Sequence, residues 1–178
     1  MAVKTRMTAG EFFELPESNL PIELLHGEVV VSPTPVPGHQ ALVLQLALVI
    51  RELGKDGTVY VAPLDVHLDD ENVVQPDVLW ISPTGGCEVG EKHLTGAPDL
   101  VVEVLSPSSA QRDKVTKFRL YETSSVREYW IVDPAAQYIE VFQAVNEKFQ
   151  LAGVFAPGET FDSSVLLRHP VDVSLIFS

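Results

Sequence analysis

Asp99-Leu100-Val101-Val102-Glu103-Val104-Leu105-Ser106-Pro107-Ser108-Ser109 is the stretch on which the reading of this chain turns. From Asp99 to Leu105 it is almost continuously apolar, the pattern of a strand buried on both faces. One carboxylate, Glu103, interrupts it. A charge inside such a strand is costly unless it is paired, hydrogen-bonded or bound to a metal. The serines that follow read as a helix start, and Ala110 to Glu122 reads as the helix. Advancing about 100° per residue from Asp113 puts Leu120, Tyr121 and Phe118 in one apolar arc, with Lys117 about 40° round and so inside it. Lys114, at about 100°, lies on the same broad face and is an alternative to Lys117. Arg112, Thr116, Arg119 and Glu122 fall on the other side. A core-facing lysine is rare unless paired; its bland alternative is snorkelling along the helix edge. From the helix face alone, losing Lys117 is expected to spare the fold.

Upstream, Asp77 poses the same problem as Glu103. It follows Gln75-Pro76 and precedes Val78-Leu79-Trp80-Ile81. Gln75 shares its strand parity and is expected to line the same cleft. Further back, His39 opens a helix to Leu53 with an apolar stripe at Leu42, Leu46, Val49 and Leu53, ended by Gly54. Met7 to Leu15 reads as a short helix capped by Thr8 with Glu11, and Ile22 to Val31 as a hairpin turning near His26-Gly27. Thr58 to Leu68 and Val73 to Ile81 read as single strands around an acidic turn, and Ser82 to Gly96 as a loop. Val126 to Val132 and Tyr138 to Phe142 read as strands around Asp133-Pro134, followed by short strands and turns. The order gives a mixed α/β domain, a central sheet with helices packed on it. It is read as one domain over 1–178, with a helix and hairpin at 7–31, a core at 38–143 and C-terminal strands and turns at 144–178.

Composition limits the function. The chain has 178 residues, 46% hydrophobic and 21% charged, which excludes a disordered polymer. No apolar run reaches the roughly 18 to 20 residues of a membrane span, and no signal peptide is read at the start. A cytoplasmic protein is expected. One cysteine, Cys87, excludes a disulfide framework and a cysteine-rich zinc site. The histidines show no paired metal-ligand spacing. Gly85-Gly86 lacks the features of a phosphate loop, and the serines lack a nucleophile-elbow pattern. Twelve basic against 25 acidic residues give a formal charge of −13. Such a chain repels polyanions as a whole, yet five of the twelve, Arg112, Lys114, Lys117, Arg119 and Arg127, cluster between 112 and 127. Arg112 and Arg119 are the candidate nucleic-acid contacts.

Two inward carboxylates and an inward lysine suit metal-assisted phosphodiester hydrolysis. Carboxylates offer hard oxygens to Mg²⁺ or Mn²⁺. The ion polarises the phosphoryl group and lowers the pKa of a bound water. The lysine positions the water or stabilises transition-state charge.

The ordered set Gln75-Pro76-Asp77, Glu103 within Val101 to Ser108, Asp113 to Tyr121, and Glu128-Tyr129-Trp130-Ile131-Val132-Asp133-Pro134 resembles the Uma-type family, once a family of unknown function, in the restriction-endonuclease-like PD-(D/E)xK superfamily. The resemblance reaches back to Glu23-Leu24-Leu25-His26-Gly27-Glu28 and weakens after about Gln143. It implies a restriction-endonuclease-like core, a divalent-metal site at Asp77 and Glu103, and a nuclease activity. The superfamily pattern places lysine two residues after Glu103, where this chain has Leu105, so the lysine role passes to Lys117. Glu23 corresponds to an early acidic residue of the site; a strand-end carboxylate is its alternative. His39, Gln75, Lys114 and Tyr121 are accessory candidates. The expected substrate is DNA, and cutting two strands favours a homodimer. The competing readings are a non-catalytic binding protein that kept the fold and a hydrolase of small phosphodiesters.

Overall fold

The computed structural model describes residues 6–167 and 169–178. The helix Ala9–Phe13 (α1) begins with a reciprocal capping box between Thr8 and Glu11. The strands Ile22–Leu25 (β1) and Glu28–Val31 (β2) form the expected hairpin. His26 and Gly27 at its turn both have positive φ, 51° and 73°, as a two-residue primed turn requires. The long helix Pro37–Leu53 (α2) starts two residues before the expected His39, with Pro37 in its first turn, where the missing N–H costs nothing.

Two single strands of the sequence reading are each two strands. Thr58–Val61 (β3) and Val66–Asp69 (β4) are separated around Pro63, and Asn72–Val74 (β5) and Val78–Ile81 (β6) around Pro76. Proline has no N–H to give a ladder, and the chain uses each break to change sheets. The expected 82–96 loop contains two short strands, Glu88–Val89 (β7) and Leu94–Thr95 (β8). Leu100–Val104 (β9) is buried at every residue, as its apolar run demands.

The second long helix is not a plain α-helix. Arg112–Lys117 is a π-helical turn, continuing into the α-helix Phe118–Thr123 (α3). The serines before it bond one another in a turn, Ser109 N–H to Ser106 Oγ and Ser106 N–H to Ser109 Oγ, both at 3.2 Å. Glu128–Asp133 (β10), Tyr138–Val145 (β11) and Lys148–Phe155 (β12) follow. The last is eight residues long, longer than the short strands expected there. Thr160–Phe161 (β13) and Val171–Asp172 (β14) pair beyond it.

The result is two six-stranded mixed sheets, β2-β1-β5-β4-β8-β7 and β12-β11-β10-β9-β6-β3. The fold is mixed α/β, as expected, but only one face of the second sheet is covered by a long helix. There, Leu46 and Ile50 of α2 pack with Val78, Val102, Val104 and Trp130, closed by C-terminal residues such as Leu166 and Val173. The opposite face packs Leu79, Val101, Tyr129 and Ile131 against Leu120 and Tyr121 of α3 and against Leu25, Val66 and Val74 of the first sheet. Among the described residues no helix is long and apolar enough to cross a membrane.

Candidate functional site

Glu103 stands in the middle of β9. Its neighbours in parity, Val101 and Leu105, face the core between the two sheets, while Val102 and Val104 face α2. Glu103 therefore points between the sheets. The β6–β9 register pairs Val78 with Val102, and continuing it by one residue sets Asp77 opposite Glu103. Asp77 itself lies one residue outside β6, and its charge is among those that raise Glu103.

Asp77 is fixed at both oxygens. Its Oδ2 accepts the Val104 N–H at 2.7 Å, and Oδ1 lies 3.0 Å from His39 Nε2 at the start of α2. The Asp77 side chain remains 17% exposed, which leaves it an approach from solvent. The hydrogen bond to Asp77 raises the His39 pKa above its ordinary 6.5, against partial burial.

Lys117, the last residue of the π-helical turn, is 3% exposed. Its ammonium lies 2.7 Å from Glu23 Oε1, 2.9 Å from Glu103 Oε1 and 3.9 Å from Asp113 Oδ1. The same Glu103 oxygen accepts from the Tyr121 hydroxyl at 2.6 Å. Glu23 comes from β1 in the other sheet, and its Oε1 also accepts the Gln75 N–H at 2.8 Å. The cluster thus joins both sheets. Of the sequence-derived candidates, it brings together Glu23, Glu103, Lys117 and Tyr121; Asp77 and His39 form a pair whose carboxylate charge Glu103 feels.

The remaining candidates lie elsewhere. The Gln75 side chain turns to Asp65, donating to Oδ1 at 2.8 Å. Lys114 reaches Glu140 Oε1 at 2.8 Å and the Tyr138 hydroxyl at 3.3 Å on the β10–β11 hairpin, and so is no substitute for Lys117. Half-buried Arg112 donates to Ser32 Oγ at 3.0 Å, which ties it to the loop before α2. Arg119 is exposed. Glu128, in the sequence motif, is fully buried but structural: it accepts from Trp130, Gln143 and Ser164. Cys87 is buried and its thiol is pushed up to about 11 by that burial, which makes it a poor nucleophile.

Sequence reasoning missed Asp113. It is 1% exposed, and its Oδ1 is buried without a hydrogen bond. The signal was its place four residues before Lys117 at the edge of the apolar arc, where it served only as the angular origin.

Four carboxylates against one ammonium leave a surplus of negative charge. Burial lifts Glu103 well above the ordinary carboxylate range; the charges of Asp113, Asp77 and Glu23 add to this, and Lys117 opposes it. Asp113 is raised mainly by burial, again opposed by Lys117. Burial pushes Lys117 down, but Glu103, Glu23 and Asp113 outweigh it and hold the ammonium charged. Among the described residues no three His, Cys, Asp or Glu side chains stand ready as a cation cage. The donor chemistry nonetheless fits a hard divalent ion: carboxylate oxygens of Asp77 and Glu103, a negative surplus, and an orphaned acceptor on Asp113. Lys117 is the cation already resident beside them.

Comparison with known proteins agrees with this fold. An uncharacterized protein of Synechocystis sp. is 26% identical over 147 residues, covering 80% of this chain and 83% of that protein. A crystal structure described as a putative nuclease belonging to DUF820, from Anabaena variabilis, superposes with a TM-score of 0.79 at 21% identity, covering 96% of this chain and 97% of its own; it establishes a shared fold. The model of the Uma2 family, described as "Putative restriction endonuclease", matches residues 9–173, and the chain belongs to that family.

Proposed function

We propose that this chain is a divalent-metal-dependent nuclease that hydrolyses phosphodiester bonds in DNA, with Mg²⁺ or Mn²⁺ held by Asp77 and Glu103. The observation that supports the reading is the Lys117 ammonium 2.9 Å from Glu103, with the Asp77 charge near enough to raise that carboxyl. When bound, the ion would polarise the phosphoryl group and lower the pKa of a water. The residues of the chain do the rest. Tyr121 fixes the orientation of Glu103, and His39 with the Val104 N–H fixes Asp77. Lys117 supplies the positive charge that offsets the developing phosphorane charge, and Glu23 anchors it. Two such sites in a homodimer would cut both strands, and Arg119 would hold the backbone.

A second reading is favoured by a specific observation. Lys117 is 3% exposed and enclosed by carboxylates, and the chain carries −13; both suit a binding protein that kept the fold without the chemistry. The test is incubation of wild type and Asp77→Asn with single-stranded, duplex and branched DNA, RNA and bis(p-nitrophenyl) phosphate, in Mg²⁺ and in Mn²⁺. Cleavage of DNA that needs metal and is lost in Asp77→Asn is expected. Turnover of the small diester alone would assign a small-phosphodiester hydrolase. No turnover of any member would favour the binding protein.

A further inference from the structure

The least explained atom in the cluster is Asp113 Oδ1. A buried carboxylate oxygen without a donor is costly, and this one faces an ammonium at 3.9 Å, beyond hydrogen-bond reach. Lys117 has three protons to give; Glu103 and Glu23 lie within 2.9 Å, and Asp113 is the third carboxylate beside it. Both residues sit on the same π-helical turn. That turn is pinned from behind by the Tyr129 hydroxyl, which donates to the Asp113 carbonyl at 3.2 Å. Acceptor and donor are therefore carried on one rigid piece.

Glu103 Oε1 serves both Lys117 and Tyr121. A divalent cation held by that carboxylate repels the ammonium beside it, which favours moving the ammonium off Glu103. A displacement of roughly 1 Å brings it to the 2.7–2.9 Å of a charge-assisted bond with Asp113. We propose that Asp113 is a positioning residue, the acceptor that takes up the Lys117 ammonium when a divalent cation occupies Asp77 and Glu103. The proposal rests on the metal-dependent reading above. It makes Lys117 a group with two stations, one on Glu103 and one on Asp113, with Glu23 common to both.

The test is calorimetric titration of Mn²⁺ alone into the full chain as wild type, Asp77→Ala, Asp113→Asn, Lys117→Met and the Asp113→Asn/Lys117→Met double variant. Asp113→Asn strands the ammonium on Glu103, and Mn²⁺ affinity should fall by roughly tenfold to a hundredfold, as for the loss of other groups behind a metal's own ligands. Removing Lys117 as well should restore it. An Asp113→Asn affinity equal to wild type overturns the proposal, leaving a structural role. A double variant as weak as Asp113→Asn also overturns it, because Asp113 would then be a direct ligand. Both failures leave the metal reading intact, provided Asp77→Ala loses binding. Wild type that binds no Mn²⁺, or Asp77→Ala that binds it equally, overturns the metal reading and the proposal together. If the Lys117 variants do not fold, the ¹⁵N ammonium resonance of Lys117 in wild type decides. It should move on saturation with Mg²⁺, and a resonance that does not move refutes the two stations.

Discussion

Replacing Lys117 with methionine keeps the length of the side chain and removes its charge. The helical face alone predicts a variant that folds normally. The cluster predicts the opposite, because Glu23, Glu103 and Asp113 are 3%, 3% and 1% exposed, and the ammonium is the cation that all three face. Removing one partner of a buried ion pair costs about 3–5 kcal/mol. For a chain of this size each kcal/mol is worth about 2–4 °C, so the melting temperature should fall by about 6–20 °C at neutral pH. The loss should depend on pH. Glu103 and Asp113 already have raised pKa values in the folded protein, and without Lys117 they rise further. An acid with a raised folded pKa binds more protons folded than unfolded between its two values, so stability falls as pH rises through that window. The deficit should therefore widen from about pH 5 to pH 8 and shrink on acidification. Differential scanning calorimetry over that range measures it. A Lys117→Met protein melting within about 2 °C of wild type at pH 8 would refute the reasoning, since a buried uncompensated charge cannot cost so little. Adding Glu103→Gln to Lys117→Met should recover part of the loss.

His39 has a raised pKa through its bond to Asp77, so its contribution to stability is complete below 6.5 and lost as pH climbs through the folded value. Urea midpoints should fall over that interval in wild type and stay flatter in His39→Gln. Glu128→Gln puts an amide group among donors from Trp130, Gln143 and Ser164. It should cost about 2–3 kcal/mol in chemical denaturation followed by tryptophan fluorescence; an unchanged midpoint would show that the buried carboxylate is not what ties the C-terminal segment to the sheet. Arg119→Ala should lower duplex affinity for every sequence and reduce the log–log salt slope by about 0.9 in fluorescence anisotropy. Arg112→Ala, already tied to Ser32, should change that slope less and the melting temperature more.

What could be read from the sequence was what local chemistry decides. An apolar run with one charge can be little other than a doubly buried strand, and β9 is that strand. The stripe from Leu42 to Leu53 and the cap at Thr8 rest equally on neighbouring residues. The division into two sheets was missed because the apolar alternation runs on through Pro63 and Pro76, although a proline inside a strand pattern marks its limit. The π-helical turn is invisible to a fixed step of about 100° per residue. That error barely moves Lys117, which is near Asp113 either way. It misleads at Lys114, whose partners Tyr138 and Glu140 belong to a hairpin that no helical wheel contains. Asp113 was missed for a different reason: a charge beside a basic cluster looks like a surface counter-ion until packing encloses it.

Because Glu23 hangs from the first sheet while Glu103 and Lys117 belong to the second, the cluster has a history as well as a geometry. A ribosome makes Glu23 early and Lys117 only after most of the first sheet has emerged. Until β9 and the helical turn after it have docked, the acidic residues are dispersed along a nascent chain and hold nothing in register. The charged centre can therefore form only once the chain has been made past Lys117. A half-made or half-unfolded chain holds these carboxylates apart and carries no assembled charged centre.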